Sequence, residues 1–209
     1  MSDSDLDSDS DSNSVNILGK DYDIATTNCV DLSNTNLTSI PDCISLLTNL
    51  HILYLSHNQI ANIPDCISSL VNLRILNLSD NLITDIPHCI SSLANLQILD
   101  LDYNHITYIP DCISSLANLQ TINLSHNLIT DIPDCISLLG NLQRLYLSHN
   151  HITNIPDAIS SLVNLQDLHL DKNHIDDLSL TVLSLMSIKY TNFSNQTPKP
   201  ILYLPPVII

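Results

Sequence analysis

The chain has 209 residues, with 6 Lys or Arg against 22 acidic residues and a formal net charge of −16 at pH 7. Nucleic acid and anionic membranes are bound through clusters of Lys and Arg, so neither is an expected partner. A protein with a basic patch is the better electrostatic match, and the chain is expected to meet it as a monomer.

Residues 1–14 are mostly alternating Ser and Asp, too polar to bury a core, and read as a disordered acidic tail. Ser2 and Ser8 each have Asp three residues downstream, which resembles acid-directed kinase sites, although a solubilising role is the simpler reading. The stretch has none of the apolar character of a secretory signal. No apolar run in the chain has the length of a membrane span. An intracellular, cytoplasmic location is therefore expected. Residues 15–26 are expected to cap the exposed end of a repeat array that starts at residue 27.

From 27 to 187 the chain repeats every 23 residues, and Ile-Pro recurs at Ile40-Pro41, Ile63-Pro64, Ile86-Pro87, Ile109-Pro110, Ile132-Pro133 and Ile155-Pro156. One copy reads Leu50-x-x-Leu53-x-Leu55-x-x-Asn58-x-Ile60-x-x-Ile63-Pro64-x-x-Ile67-x-x-Leu70-x-Asn72. The Leu53-x-Leu55 alternation places two side chains on one face of a short strand. Strands stacked in parallel make a continuous sheet, and Ile60, Ile63, Ile67 and Leu70 fill the coil behind it. No coil can bury that face alone, so each depends on its neighbours. Asn58, Asn81, Asn104, Asn127, Asn150 and Asn173 come just after the strands, where a buried amide can satisfy backbone groups. Pro then ends the extended segment. The Asp after it (Asp42, Asp65, Asp111, Asp134 and Asp157, with His88 once) reads as the N-cap of a short helical or 3₁₀ turn. Residues 188–209 read as a degenerate repeat and C-terminal cap, with Ile201 to Leu204 lying over the last coil.

This period and internal spacing resemble the leucine-rich-repeat pattern, and within it the 23-residue class of Ras-suppressor and scaffold-type intracellular proteins. The resemblance covers residues 27–187, read as seven repeats. It implies an α/β solenoid with a curved parallel β-sheet on the concave side and short helical or 3₁₀ turns on the convex side. It also implies use in protein–protein contact. Small GTPases and phosphatase or kinase complexes come to mind as partners only by analogy.

Enzyme chemistry is not expected. With only Gly19 and Gly140 no glycine-rich phosphate loop can be built, and the Ser-His-Asn triplets recur because the repeat was duplicated. No cofactor and no metal are called for. Cys43, Cys66, Cys89, Cys112 and Cys135 share one repeat position, about 5–7 Å apart if coils stack in register, near disulfide range. In a reducing compartment they are expected to be free packing residues. Oxidation sensitivity or soft-metal capture is the alternative. The histidines His105, His126, His149, His151, His169 and His174 gather toward the C-terminal half, and stacking would bring His126 close to His149. Solvated imidazoles, a surface metal site and a pH-tuned interface all stay open.

The expected partner surface is the concave face. Its central column is Asp31, Tyr54, Asn77, Asp100, Asn123, Tyr146, His169 and Asn192; beside it run Asn34, His57, Asp80, Tyr103, His126, His149, Lys172 and Asn195. These residues vary while the framework stays nearly constant. The candidate contacts are Tyr54, His57, Asn77, Asp80, Asp100, Asp102, Tyr103, Asn123, His126, Tyr146, His149 and His169. Tyr54, Tyr103 and Tyr146 are the anchors, because aromatic rings dominate interface energetics, and Asp80, Asp100 and Asp102 form an acidic centre. Seven or eight strands about 5 Å apart give a face roughly 35–40 Å long, on the scale of an ordinary interface. The competing class is a passive structural or decoy repeat protein with no fixed ligand.

Overall fold

The structure, a computed structural model, describes residues 13–175 and 190–192. Most of the acidic tail, and the cap read at 188–209 apart from those three residues, lie outside the described residues.

The described chain begins with a hairpin, β1 (Ser14–Ile17) antiparallel to β2 (Lys20–Asp23). Leu18 and Gly19 both take positive φ, 53° and 81°, the geometry of a two-residue hairpin loop that matches strand twist. Gly adopts it freely, whereas Leu does so at a cost. Val15, Ile17 and Tyr22 on the hairpin's inner face join the main core.

Eight three-residue strands come next at 23-residue intervals: β3 (Cys29–Asp31), β4 (Ile52–Tyr54), β5 (Ile75–Asn77), β6 (Ile98–Asp100), β7 (Thr121–Asn123), β8 (Arg144–Tyr146), β9 (Asp167–His169) and β10 (Tyr190–Asn192). They pair in chain order as one parallel sheet. Every register is a shift of one whole repeat, as in Leu53↔Leu76↔Leu99. Among the described residues the chain returns between strands through six 3₁₀ turns: η1 (Asp42–Leu46), η2 (Asp65–Ser69), η3 (His88–Ser92), η4 (Asp111–Ser115), η5 (Asp134–Leu138) and η6 (Asp157–Ser161). No α-helix occurs among the described residues, because a coil of 23 residues leaves only five for each turn. This is the expected solenoid, with the parallel sheet on one side and the 3₁₀ turns on the other.

One local expectation is corrected. The turn-initiating Asp is not an N-cap: Pro41, Pro64, Pro110, Pro133 and Pro156 hold the N-cap positions in extended conformation, with no side-chain cap hydrogen bond. Asp42 and its equivalents are the first residues inside the turn, the end of a helical turn that favours negative charge. Pro lacks the N–H that a helix start would leave unsatisfied and its fixed φ already suits the entry. Ser supplies a further closure, as Ser45 Oγ donates to Asp42 O at 2.7 Å, and Ser68, Ser114, Ser137 and Ser160 repeat it.

The core is a single continuous stack. Leu53, Leu55, Ile60, Ile67, Leu70 and Leu73 are fully buried, and the same positions recur in each later coil. Two asparagine ladders hold the coils in register. In the first, Asn104 Nδ2 donates to Leu78 O, Leu101 O and Asp102 O at 3.0–3.2 Å, while its Oδ1 accepts the Ile83 N–H at 2.9 Å. The second runs on the opposite side, where Asn49, Asn72, Asn95, Asn118, Asn141 and Asn164 each donate to a carbonyl 24 residues earlier at 2.7–3.0 Å.

Candidate protein-binding face

Parallel in-register pairing puts one residue from each strand side by side across the sheet. Asp31, Tyr54, Asn77, Asp100, Asn123, Tyr146 and His169 are successive Cα partners, so the central column read from the sequence is one physical row. Its polar members are not all equally available. Asn77 Oδ1 accepts from the Ser79 N–H and hydroxyl at 2.9 and 2.8 Å, Asn123 Oδ1 from the Ser125 N–H at 3.1 Å, and Asp100 Oδ1 from the Asp102 N–H at 3.2 Å. Such local bonds pin side chains to the turn that leaves the strand. Tyr54, Tyr146 and His169 carry no such tether. Tyr146 and His169 meet edge-to-face at 4.9 Å, a favoured aromatic arrangement.

Burial and then the nearby Asp102 carboxylate raise the Asp100 carboxyl above the usual range. Burial chiefly, and Asp167 second, raise the Tyr146 phenol.

The second column is defined by backbone. His57, Asp80, Tyr103, His126, His149 and Lys172 all have φ between 50° and 58°, the left-handed region. Most side chains enter it at a cost of about 1–2 kcal/mol. The turn requires it once per coil and aims each side chain along the sheet's rim. Tyr103 and His126 rings consequently stack at 3.9 Å and 7°, and His126 and His149 at 4.2 Å and 17°. Carboxylates orient two imidazoles: His57 Nδ1 lies 2.5 Å from Asp80 Oδ2, and His126 Nδ1 lies 3.0 Å from Asp102 Oδ1. His57, Ser79, Asp80, Asp102 and Tyr103 line an open depression of about 490 Å³. His151 and His174 form a separate pair, Nδ1 to Nε2 at 3.4 Å. No group of three or more His, Cys or Asp residues among the described residues is placed to hold a metal ion.

The sheet face also carries a third column, which the repeat pattern alone does not single out. Side chains alternate along a strand, so the residues before Leu53, Leu76 and Leu99 share a face with Tyr54. These are Ile52, Ile75 and Ile98, half-buried, and across the sheet the column continues through Thr121, Arg144 and Asp167. This column is thus apolar over β4–β6 and polar or charged over β7–β9, where Arg144 Nε approaches Asp167 Oδ2 at 3.5 Å and Nη1 donates to Thr121 at 3.2 Å. Strict period-two alternation is the sequence signal that identifies this column.

The cysteine column, Cys43 to Cys135, is the second residue of the 3₁₀ turns η1 to η5, its thiols free and packed against the core. Cys89 and Cys112 reach back toward Pro64 O and Pro87 O at 3.8 and 3.9 Å. Burial, with the Asp65 carboxylate second, pushes the Cys89 thiol up to about 11; burial and Asp111 do the same for Cys135. Burial raises Cys66 and Cys112 as well. A raised thiol pKa means less thiolate, the reactive form, at any pH below it. Exposed Cys29 is therefore expected to be alkylated by iodoacetamide at pH 8 well ahead of Cys89 and Cys135, by about tenfold or more. Mass-spectrometric time courses give the order; equal rates would contradict the environment described.

Strands and 3₁₀ turns recurring in register every 23 residues define a repeat solenoid. The chain belongs to the leucine-rich-repeat family: the family model "Leucine rich repeat" matches residues 48–106 and 109–152, and "Leucine Rich repeats (2 copies)" matches 140–185. Among solved structures it is similar to a leucine-rich-repeat protein of Leptospira interrogans, with 32% identity and a TM-score of 0.69 over 79% of this chain and 48% of that one. It is also similar to the plant peptide hormone receptor RGFR1 in complex with RGF2, with 30% identity and a TM-score of 0.67 over 74% of this chain and 26% of that one. The chain thus spans about half the length of the first and a quarter of the second. Comparison with curated proteins finds no match. Leucine-rich-repeat domains generally mediate protein–protein interaction and are typically non-enzymatic. No helix among the described residues is long and apolar enough to cross a membrane.

Proposed function

We propose that the chain is a non-enzymatic scaffold or regulatory adaptor that holds a protein partner on its concave face and works as an intracellular monomer. The observation that carries this reading is the contrast between a nearly invariant framework and one sheet face of varied residues, Tyr54, Asn77, Asp100, Asn123, Tyr146 and His169, in a single row. Tyr54 and the apolar stretch that includes Ile75 supply buried contact area. Asp80, Asp100 and Asp102 favour a partner with a basic patch, through steering and register more than raw affinity. The plant receptor similar to this chain is itself described in complex with RGF2. The proposed organisation is an acidic tail at 1–14, a cap at 15–26, repeats over 27–187 and a second cap at 188–209.

The test is affinity capture from lysate by the wild type and by the Tyr54→Ala/Asp100→Ala/Tyr146→Ala variant, with circular dichroism confirming that the variant folds. A partner is expected to be held by the wild type, released by added salt, and lost by the variant. Equal capture by both would move the site off this face. No specific capture by either would favour a passive repeat protein.

A further inference from the structure

The rim column is a row of rings that stops at Tyr103. His149 stacks on His126 and His126 on Tyr103. On the next coil toward the N-terminus the same position holds Asp80, whose carboxylate is turned to His57. One face of the Tyr103 ring is therefore covered by His126, and the other forms a wall of the depression lined by His57, Ser79, Asp80 and Asp102. Tyr103 is itself about half exposed. The imidazoles engage one oxygen of each carboxylate, Asp80 Oδ2 and Asp102 Oδ1. Asp80 Oδ1 and Asp102 Oδ2 are left as open acceptors among the described residues.

We propose that this depression is a guanidinium site, taking one arginine side chain of the partner as the next rung of the stack. The inference rests on reading this face as a protein-binding surface and names the chemistry of one contact on it. Guanidinium is flat, permanently charged and weakly hydrated, stacks on aromatic faces, and offers several N–H donors in its own plane. Laid on Tyr103 at the spacing already set by His126, it gains the ring quadrupole. Its edge N–H groups then point to the carboxylate oxygens on the rim. Lysine satisfies only the charge, since its compact, strongly hydrated ammonium does not continue a stack. A neutral planar group satisfies only the shape.

The test uses the full chain and three small probes, the N-acetyl amides of arginine, lysine and citrulline, titrated by NMR while the Tyr103 and His126 ring signals are monitored. The arginine amide is expected to shift both signals with millimolar affinity, at least fivefold more tightly than the lysine amide, and the citrulline amide to leave them unmoved. Tyr103→Phe keeps the ring face and should retain binding. Tyr103→Leu keeps apolar bulk without a ring and should lose tenfold or more, as should Asp80→Asn/Asp102→Asn. Lysine binding as well as arginine, unchanged binding by Tyr103→Leu, or no response to arginine would each overturn the site. A partner captured by the wild type alongside a silent arginine titration would remove the guanidinium site and leave the protein-binding reading standing. Arginine binding with no captured partner would do the reverse.

Discussion

Replacing Asn127 with Ala is expected to lower the unfolding free energy by about 3–6 kcal/mol, a large share of the roughly 5–15 kcal/mol that holds an ordinary domain. The Asn127 amide donates to Leu101 O at 2.9 Å, Leu124 O at 3.2 Å and Ser125 O at 3.0 Å, and accepts the Ile106 N–H at 2.9 Å. All of these bonds lie inside the molecule, and Asn127 is 4% exposed. Alanine leaves the Ile106 donor without a partner and takes one of two donors from each of Leu101 O, Leu124 O and Ser125 O, which keep Asn104 Nδ2, Asn150 Nδ2 and the Tyr103 N–H; each lost bond adds about 0.5–1.5 kcal/mol. Each buried orphan costs about 1–3 kcal/mol.

The control sits at the N-terminal end of the same ladder. Asn58 makes an equally full set of bonds, to Leu32 O, Leu55 O and the N–H groups of Thr35 and Leu37, but it is only half-buried. Water can replace what Asn58→Ala removes, so that variant should cost less than half as much. Urea unfolding by circular dichroism, compared at equal m-value, measures both. Equal small losses at the two positions would mean that the ladder is decorative; Asn127→Asp, which keeps the size but not the donors, should be at least as damaging as Ala.

Much of this architecture was legible because a solenoid converts sequence period into spatial neighbourhood. Residues 23 apart are Cα partners across the sheet, so the row from Tyr54 to His169 is readable from the repeat period alone. The buried Asn column was equally readable, since an amide placed just beyond each strand needs a backbone purpose. What escaped the sequence depends on backbone angles rather than on periodicity. The approach of His126 to His149 was readable from the repeat, but the face-to-face stack that runs on to Tyr103 exists because the turn holds all three at positive φ, which a run of His and Tyr does not announce. Asp42 and its equivalents look like caps in sequence, yet Pro takes the cap position and moves them one place into the turn. The second ladder, from Asn49 to Asn164, repeats as regularly as the first. Its members precede a Leu in a polar stretch, and solvent exposure disguises their inter-coil bonds.

Leu99→Ala carries the other large effect, an expected loss of about 3–5 kcal/mol, the upper part of the range for removing a buried leucine. Leu99 has no exposed surface and pairs in register with Leu76 and Ile122 on either side. Cavity cost depends on how far the surroundings can close in. Here the backbone on both flanks is fixed by the sheet and by the Asn81 and Asn104 amides, so collapse is restricted. Ile98, the preceding residue of the same strand, points to the opposite face and is only half-buried. Ile98→Ala should therefore cost no more than about 1 kcal/mol. If Ile98→Ala proved the more damaging of the two, the face assignment of the whole sheet, and with it the proposed binding surface, would be inverted. The position of Leu99 in the stack adds a second readout. Coils interact with their nearest neighbours, so a defect in a central coil weakens the coupling between the two halves. Unfolding of Leu99→Ala should lose cooperativity, with a smaller apparent m-value than the wild type. Val30→Ala, equally buried but in the first strand of the sheet, removes contacts at one end only and should shift the midpoint while leaving the m-value nearly unchanged.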